Sequence, residues 1–285
     1  MNLIKSYFWL RACGVIALLM LSLPQTSNAE ISIFGGADYF RWTESVPGTP
    51  GVTETGPRFV VGGSLLQNKP SGILLGYRGQ VRFGEVDYAG SSQNCSSTTK
   101  ACTYTPLNSK TSYIDLDNYF SLRYRSPSKS GEHFIDFISG IGTDYWTRTL
   151  GSSGGGGYTE TYFIGYAKAG MGLGMTGSGP HAEAGIKYPF WTNEYVGLYS
   201  AGLSTNDTVI SPGKAMSYFA SLEYKFKGPW NVMFSYDGYV FPGSSWVNSN
   251  HLTTAGGKTT WTQGYVGQPA SAEETLALTI GYFFE

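Results

Sequence analysis

The sequence predicts an all-β chain closed into a transmembrane antiparallel up-and-down β-barrel of about ten strands. Three observations predict it. Oily and polar side chains alternate with a period of two along most of residues 30–285. Short and long links between the alternating segments take strict turns. Each polar face carries charges of both signs, which hydrocarbon would not accept.

The N-terminus sets the compartment. Lys5 and Arg11 precede an apolar run, Val15 to Leu23, and "PQTSNAE" then brings Ser27 and Ala29 ahead of Glu30. Basic, apolar and small-residue parts in that order read as a secretory signal peptide, residues 1–29. The run is shorter than the roughly 20 residues a membrane helix needs, which disfavours a retained anchor. Cys13 precedes the run, so it reads as a discarded thiol rather than a lipidation site.

Ten strands are expected, near 31–43, 57–67, 72–89, 110–126, 132–149, 158–175, 181–192, 215–227, 230–242 and 273–284. Tyr, Phe and Gly are abundant, at 21, 16 and 39 residues, as many short aromatic strands require. Four links are tight turns of Gly, Pro, Ser and Lys: "QNKPSG", "SPSKSGE", "TGSGP" and "KGPW". Between them fall the polar links "ESVPGTPGVTETG", Gly90 to Ser109, "GSSGGGG", Asn193 to Gly213 and Gly243 to Ala272. A barrel with one rim of turns and one of surface loops sorts its links this way, and a soluble sandwich has no reason to.

Each strand divides into two faces. In the fourth, Ile114, Leu116, Asn118, Phe120, Leu122 and Tyr124 oppose Tyr113, Asp115, Asp117, Tyr119, Ser121, Arg123 and Arg125. A charge turned to lipid near the midplane would cost about 2–4 kcal/mol, so the charged faces must point inward. The expected lumen set includes Arg78, Arg82, Arg123, Lys168, Lys187, Asp115, Asp117, Asp136, Glu183 and Glu223. Mixed signs in a narrow barrel imply a paired network rather than a wide pore. Pro189 cannot donate to the ladder and should mark a bulge or the end of the seventh strand, with Phe190 and Trp191 in an aromatic girdle.

The last strand places Leu276, Leu278, Ile280, Tyr282 and Phe284 on one face. This resembles the C-terminal insertion signal of bacterial outer-membrane barrels, although Glu285 follows the aromatic residue on which that signal usually stops. The layout resembles the outer-membrane β-barrel superfamily, in the size class of opacity-type adhesins and omptin proteases. The resemblance implies the outer membrane of a Gram-negative bacterium, contact with its lipid and lipopolysaccharide, and insertion by the barrel assembly machinery.

What the barrel does is less legible. Omptins use a rim site in which an aspartate pair faces an Asp-His pair to activate water. Asp115 and Asp117 could supply the aspartate pair, with Asp144 on the next strand, if both lie near the outer rim. No Asp-x-His follows; His133 and His181 fall at the short-turn rim, leaving His251 as the outer histidine. The same inventory weakens lipid A hydrolysis. Three scattered histidines offer no metal site, and no cofactor motif is present. Cys95 and Cys102 in "NCSSTTKAC" read as a disulfide closing a small loop of an exported protein, with metal binding as the rival. A net charge of −1 gives no argument for nucleic acid. The loop aromatics Tyr104, Tyr158, Tyr195, Tyr199, Trp246, Trp261 and Tyr265, set among small polar residues, suit an extracellular glycan or protein ligand. The leading expectation is a structural or surface-binding barrel without enzymatic activity; a rim hydrolase using Asp115, Asp117 and His251, and a narrow channel for small solutes, are the alternatives.

Overall fold

A computed structural model describes residues 29–45, 48, 51–95, 102–151, 157–255 and 258–284, with side chains described except at 92–95, 102, 251–255 and 258–259. Residues 1–28, nearly all of the expected signal peptide, lie outside the described residues. The strands are β1 (Ala29–Ser45), β2 (Val52–Gln67), β3 (Gly72–Cys95), β4 (Cys102–Pro127), β5 (His133–Leu150), β6 (Thr159–Met175), β7 (Gly179–Val196), β8 (Thr208–Ile210), β9 (Ser217–Lys225), β10 (Trp230–Phe241), β11 (Val247–Ala255), β12 (Lys258–Val266) and β13 (Ala270–Phe284).

Ten of these strands form a closed ring. β1 to β7 pair in succession, β7 continues to β9, then β10 and β13, and β13 returns to β1, with every pairing antiparallel. Closure leaves no strand edge with bare amides in hydrocarbon. The four short links gather at one rim with the starts of β1 and β3 and the end of β13. Gly131 (φ 74°) and Gly177 (φ 83°) supply left-handed backbone in two of these turns. This rim is called inner below, and the long-link rim outer.

The ten expected barrel strands are present, but the outer links hold more structure than their composition suggested. Gly90 to Ser109 is not a plain loop, because β3 and β4 continue as a two-stranded ribbon in unbroken register to Cys95 opposite Cys102. Its Ser, Thr and Asn residues read as loop chemistry, yet Thr suits a ribbon open to water on both faces. The last long link holds the β11–β12 hairpin, and the link after β7 adds the short strand β8 on the outer end of β7.

The outward face is an apolar coat. Ile73, Leu75, Ile114, Phe120, Leu122, Ile141, Leu222 and Phe234 are exposed on the wall. Rings collect at its two margins. Tyr224 packs on Phe226, and Trp230 and Phe284 both pack on Tyr282, at the inner margin; Phe59 packs on Phe83 and Phe163 on Trp191 at the outer one. These are interfacial girdles. Asn118 is the polar residue on the lipid face of β4, and its side-chain oxygen accepts a hydrogen bond from the Tyr77 hydroxyl at 2.7 Å. The bulge expected at Pro189 is there. Tyr166 pairs with Pro189 and Gly165 with Trp191, so Phe190 is the extra residue and both Phe190 and Trp191 turn outward.

Candidate functional site

Paired charges line the lumen from the inner rim to mid-barrel. Arg58 donates two hydrogen bonds of 3.0 Å to Asp38, and Arg82 reaches Asp115 at 2.8 Å. Lys168 and Lys187 both donate to Asp237, Arg123 to Glu183, and Lys225 to Glu30. Arg125 grips both oxygens of Asp136 at 2.8 Å. His181 lies between Glu183 and Glu223, at 3.4 and 3.6 Å. The pairing follows from the pleat, because charged residues two apart share the inward face and meet opposite charges across the ladder.

One step outward, the same inward rows turn aromatic. On β1, Asp38 gives way to Phe40 and Trp42; on β4, Asp115 to Tyr113; on β5, Asp144 to Trp146; on β10, Asp237 to Tyr239 and Phe241. With Val86, Tyr162, Ile164 and Tyr166 these residues form one buried cluster across the lumen. Trp146 sits at its centre, with ring centroids 4.9 Å from Tyr162, 5.9 Å from Tyr239 and 6.0 Å from Trp42. Gly142 leaves the room, since a Cβ there would meet the Tyr166 ring at 2.3 Å. Just outside this plug, Arg148 holds Glu44 at 2.7 Å, Glu54 at 3.4 Å, and Glu160. Inside it, a cup of about 890 Å³ opens between the short turns of the inner rim.

The plug bears on the hydrolase alternative. Asp115 and Asp117 do share the inward face of β4, and Asp144 is the register partner of Asp117. They do not lie at the outer rim. They are buried on the inner side of the plug, because β4 runs outward to Cys102, further than its sequence suggested. Asp117 accepts from Tyr166 at 2.6 Å and Gln80 at 3.0 Å. His251 is on β11 of the outer hairpin, opposite Thr262, and its side chain lies outside the described ones. His133 and His181 are at the inner end, as expected. The Cys95 and Cys102 side chains also lie outside those described, while their backbones are register partners.

The outer rim carries its own small core. Val196, Leu198 and Ile210 are buried together, with Tyr158, Leu203, Val247 and Val266 against them. This core joins the links after β5 and β7 to the base of the β11–β12 hairpin. Asp207 ties the same region, accepting from the Tyr199 amide at 2.8 Å and from the Tyr195 hydroxyl. That hydrogen bond pushes the Tyr195 phenol up to about 12. The charge of Glu160, with burial, holds Tyr158 well above the usual tyrosine range. Four aromatics stay open on this platform: Tyr199 (63% exposed), Trp246 (63%), Trp261 (49%) and Tyr265 (60%).

No family model matches the sequence, and no curated protein matches it in sequence. Solved structures do match in fold. The outer membrane protease OmpT from Escherichia coli aligns over 91% of this chain and 98% of its own, with TM-score 0.55 and 11% identity. The fold is that of a small outer-membrane β-barrel. The transport unit of the Escherichia coli autotransporter AIDA-I aligns over 93% of this chain and 94% of its own, at TM-score 0.40 and 10% identity. The barrel's closed ring, apolar coat and paired girdles put it in the outer membrane of a Gram-negative bacterium. Its inner rim then faces the periplasm and its hairpin the exterior.

The sequence reading found the ion pairs but missed the plug and the hairpin. The plug had a signal: an aromatic residue one inward position outside a charge on each of four strands. Those residues stood among girdle aromatics of the same type.

Proposed function

We propose that the protein is a non-enzymatic outer-membrane barrel that binds an extracellular glycan or protein through its outer platform. The observation that carries this reading is a set of four exposed rings, Tyr199, Trp246, Trp261 and Tyr265, on outer links that have a small core of their own. Rigid exposed rings are costly to keep in water unless they meet a partner, and aromatic faces stack well on sugars and on apolar protein surface. The aromatic plug supports a role at the surface over conduction through the lumen. The ion pair of Asp115 with Arg82 and the hydrogen bond that Asp117 accepts from Tyr166 support a structural role for both carboxylates over catalysis. The outward row Leu276, Leu278, Ile280, Tyr282 and Phe284 suits recognition by the assembly machinery during insertion.

Whole cells displaying the barrel should bind surfaces of glycan or extracellular-matrix protein. Trp246→Ala with Trp261→Ala and Tyr265→Ala should lose that binding at unchanged surface level. Equal binding by both forms, or none by either, would sink the proposal. For the hydrolase, purified barrel with a peptide library should give no turnover in either wild type or Asp115→Asn with Asp117→Asn.

A further inference from the structure

The cup at the periplasmic rim contains an inward-facing cation with no carboxylate partner among the described residues. Inward-facing Arg58, Arg82, Arg123, Arg125, Arg148, Lys168, Lys187 and Lys225 each have a carboxylate within 4 Å. Arg78, on β3, makes no ion pair among the described residues. Its guanidinium lies over the Phe34 ring at 3.8 Å, and it lines the cup half-buried. The neighbouring carboxylates are already engaged. Glu183 is held by Arg123, Glu223 accepts from Asn231, and Asp117 accepts from Gln80 and Tyr166. Asp237 is engaged by two ammonium groups.

The rest of the wall is oily in patches. Leu66, Phe219, Met233 and Phe283 line the same cup as Arg78. A guanidinium presents a planar fork that matches a carboxylate, and stacking on an aromatic face holds that fork in place. Among the paired charges of the wall, Arg78 and these oily patches offer a polar anchor beside apolar surface, and about 890 Å³ is room for a small molecule. We propose that the periplasmic cup binds a small organic carboxylate with an apolar body, its carboxylate on Arg78 and its body against Phe219 and Met233. This site is separate from the outer platform and does not depend on it.

The test uses the barrel in lipid nanodiscs and 4-fluorobenzoate, with ¹⁹F relaxation as readout and neutral 4-fluorobenzamide as control. The carboxylate should bind at least about tenfold more tightly than the amide, the range expected for a charge-assisted bidentate contact. Arg78→Gln should remove that preference, and Arg78→Lys should restore part of it. Met233→Trp fills the cup without touching the ion pairs and should weaken the carboxylate in a barrel whose charges are intact. It also carries the test if Arg78→Gln does not fold. Equal binding of acid and amide by the wild type, or carboxylate binding unchanged in Arg78→Gln or Met233→Trp, would overturn the proposal.

Discussion

Asp237→Asn is the most informative single substitution in the lumen. Asp237 is the carboxylate for two ammonium groups, and the side chains of Lys168 and Lys187 are only 12% and 3% exposed. Removing one partner from a buried pair costs about 3–5 kcal/mol, because the remaining charge stays in a poor solvent. Two features soften the loss here. Lys187 Nζ lies 3.4 Å from the Tyr239 ring centroid, and Lys168 Nζ lies 5.0 Å from that of Phe219. Each such contact offers about 0.5–2 kcal/mol. Both contacts are already present in the wild type, so they hold the loss at the lower end of that range, about 3 kcal/mol, roughly a hundredfold in the folded-to-unfolded ratio. Urea unfolding of the barrel in lipid vesicles, followed by tryptophan fluorescence, measures it. Adding Lys168→Met should recover much of the stability by removing one stranded charge. A loss under about 1 kcal/mol in Asp237→Asn, or further loss in the double variant, would refute the view that pairing satisfies this lumen.

Three further outcomes follow from the same geometry. Wild-type barrel in planar bilayers should give no steady unitary conductance, while Trp146→Ala with Tyr239→Ala should give open steps; steps in the wild type would show that the plug does not seal. Mapping of unreduced peptides should join Cys95 to Cys102, and free thiols at both positions would exclude the bridge. Titration of phenolate absorbance should show Tyr195 ionising near 12, returning toward the ordinary value of about 10 in Asp207→Asn. Because the folded value is raised, its stabilising contribution is complete below pH of about 10 and is lost as pH rises through about 12.

The wall of the barrel was legible because a period of two leaves little choice. Once Ile114 faces lipid, Asp115 must face inward, and the register then brings it to Arg82. Pro189 was legible for a similar reason, since the missing donor had to be accommodated somewhere along β7. The outer platform was not. Its strands are rich in Ser, Thr and Asn, and neither face of the β3–β4 ribbon is required to be oily, so alternation fades there. The height of Asp115 and Asp117 was misjudged for that reason: their distance from the outer end depends on where β4 stops, and composition placed the stop too early. Arg78 was read correctly as inward, but its lack of a carboxylate partner among the described residues is a fact about all its neighbours together.

The seam of the cylinder has a consequence for biogenesis. It sets Ile31 beside Phe284, so β13 is the staple that holds β1 and closes the ring. No partial product can complete the hoop; every shorter intermediate is a curved sheet with two raw edges. Such an intermediate would need sheltering from its own kind until β13 pairs with β1. Closure should then come late, since it pairs the two barrel strands furthest apart in sequence.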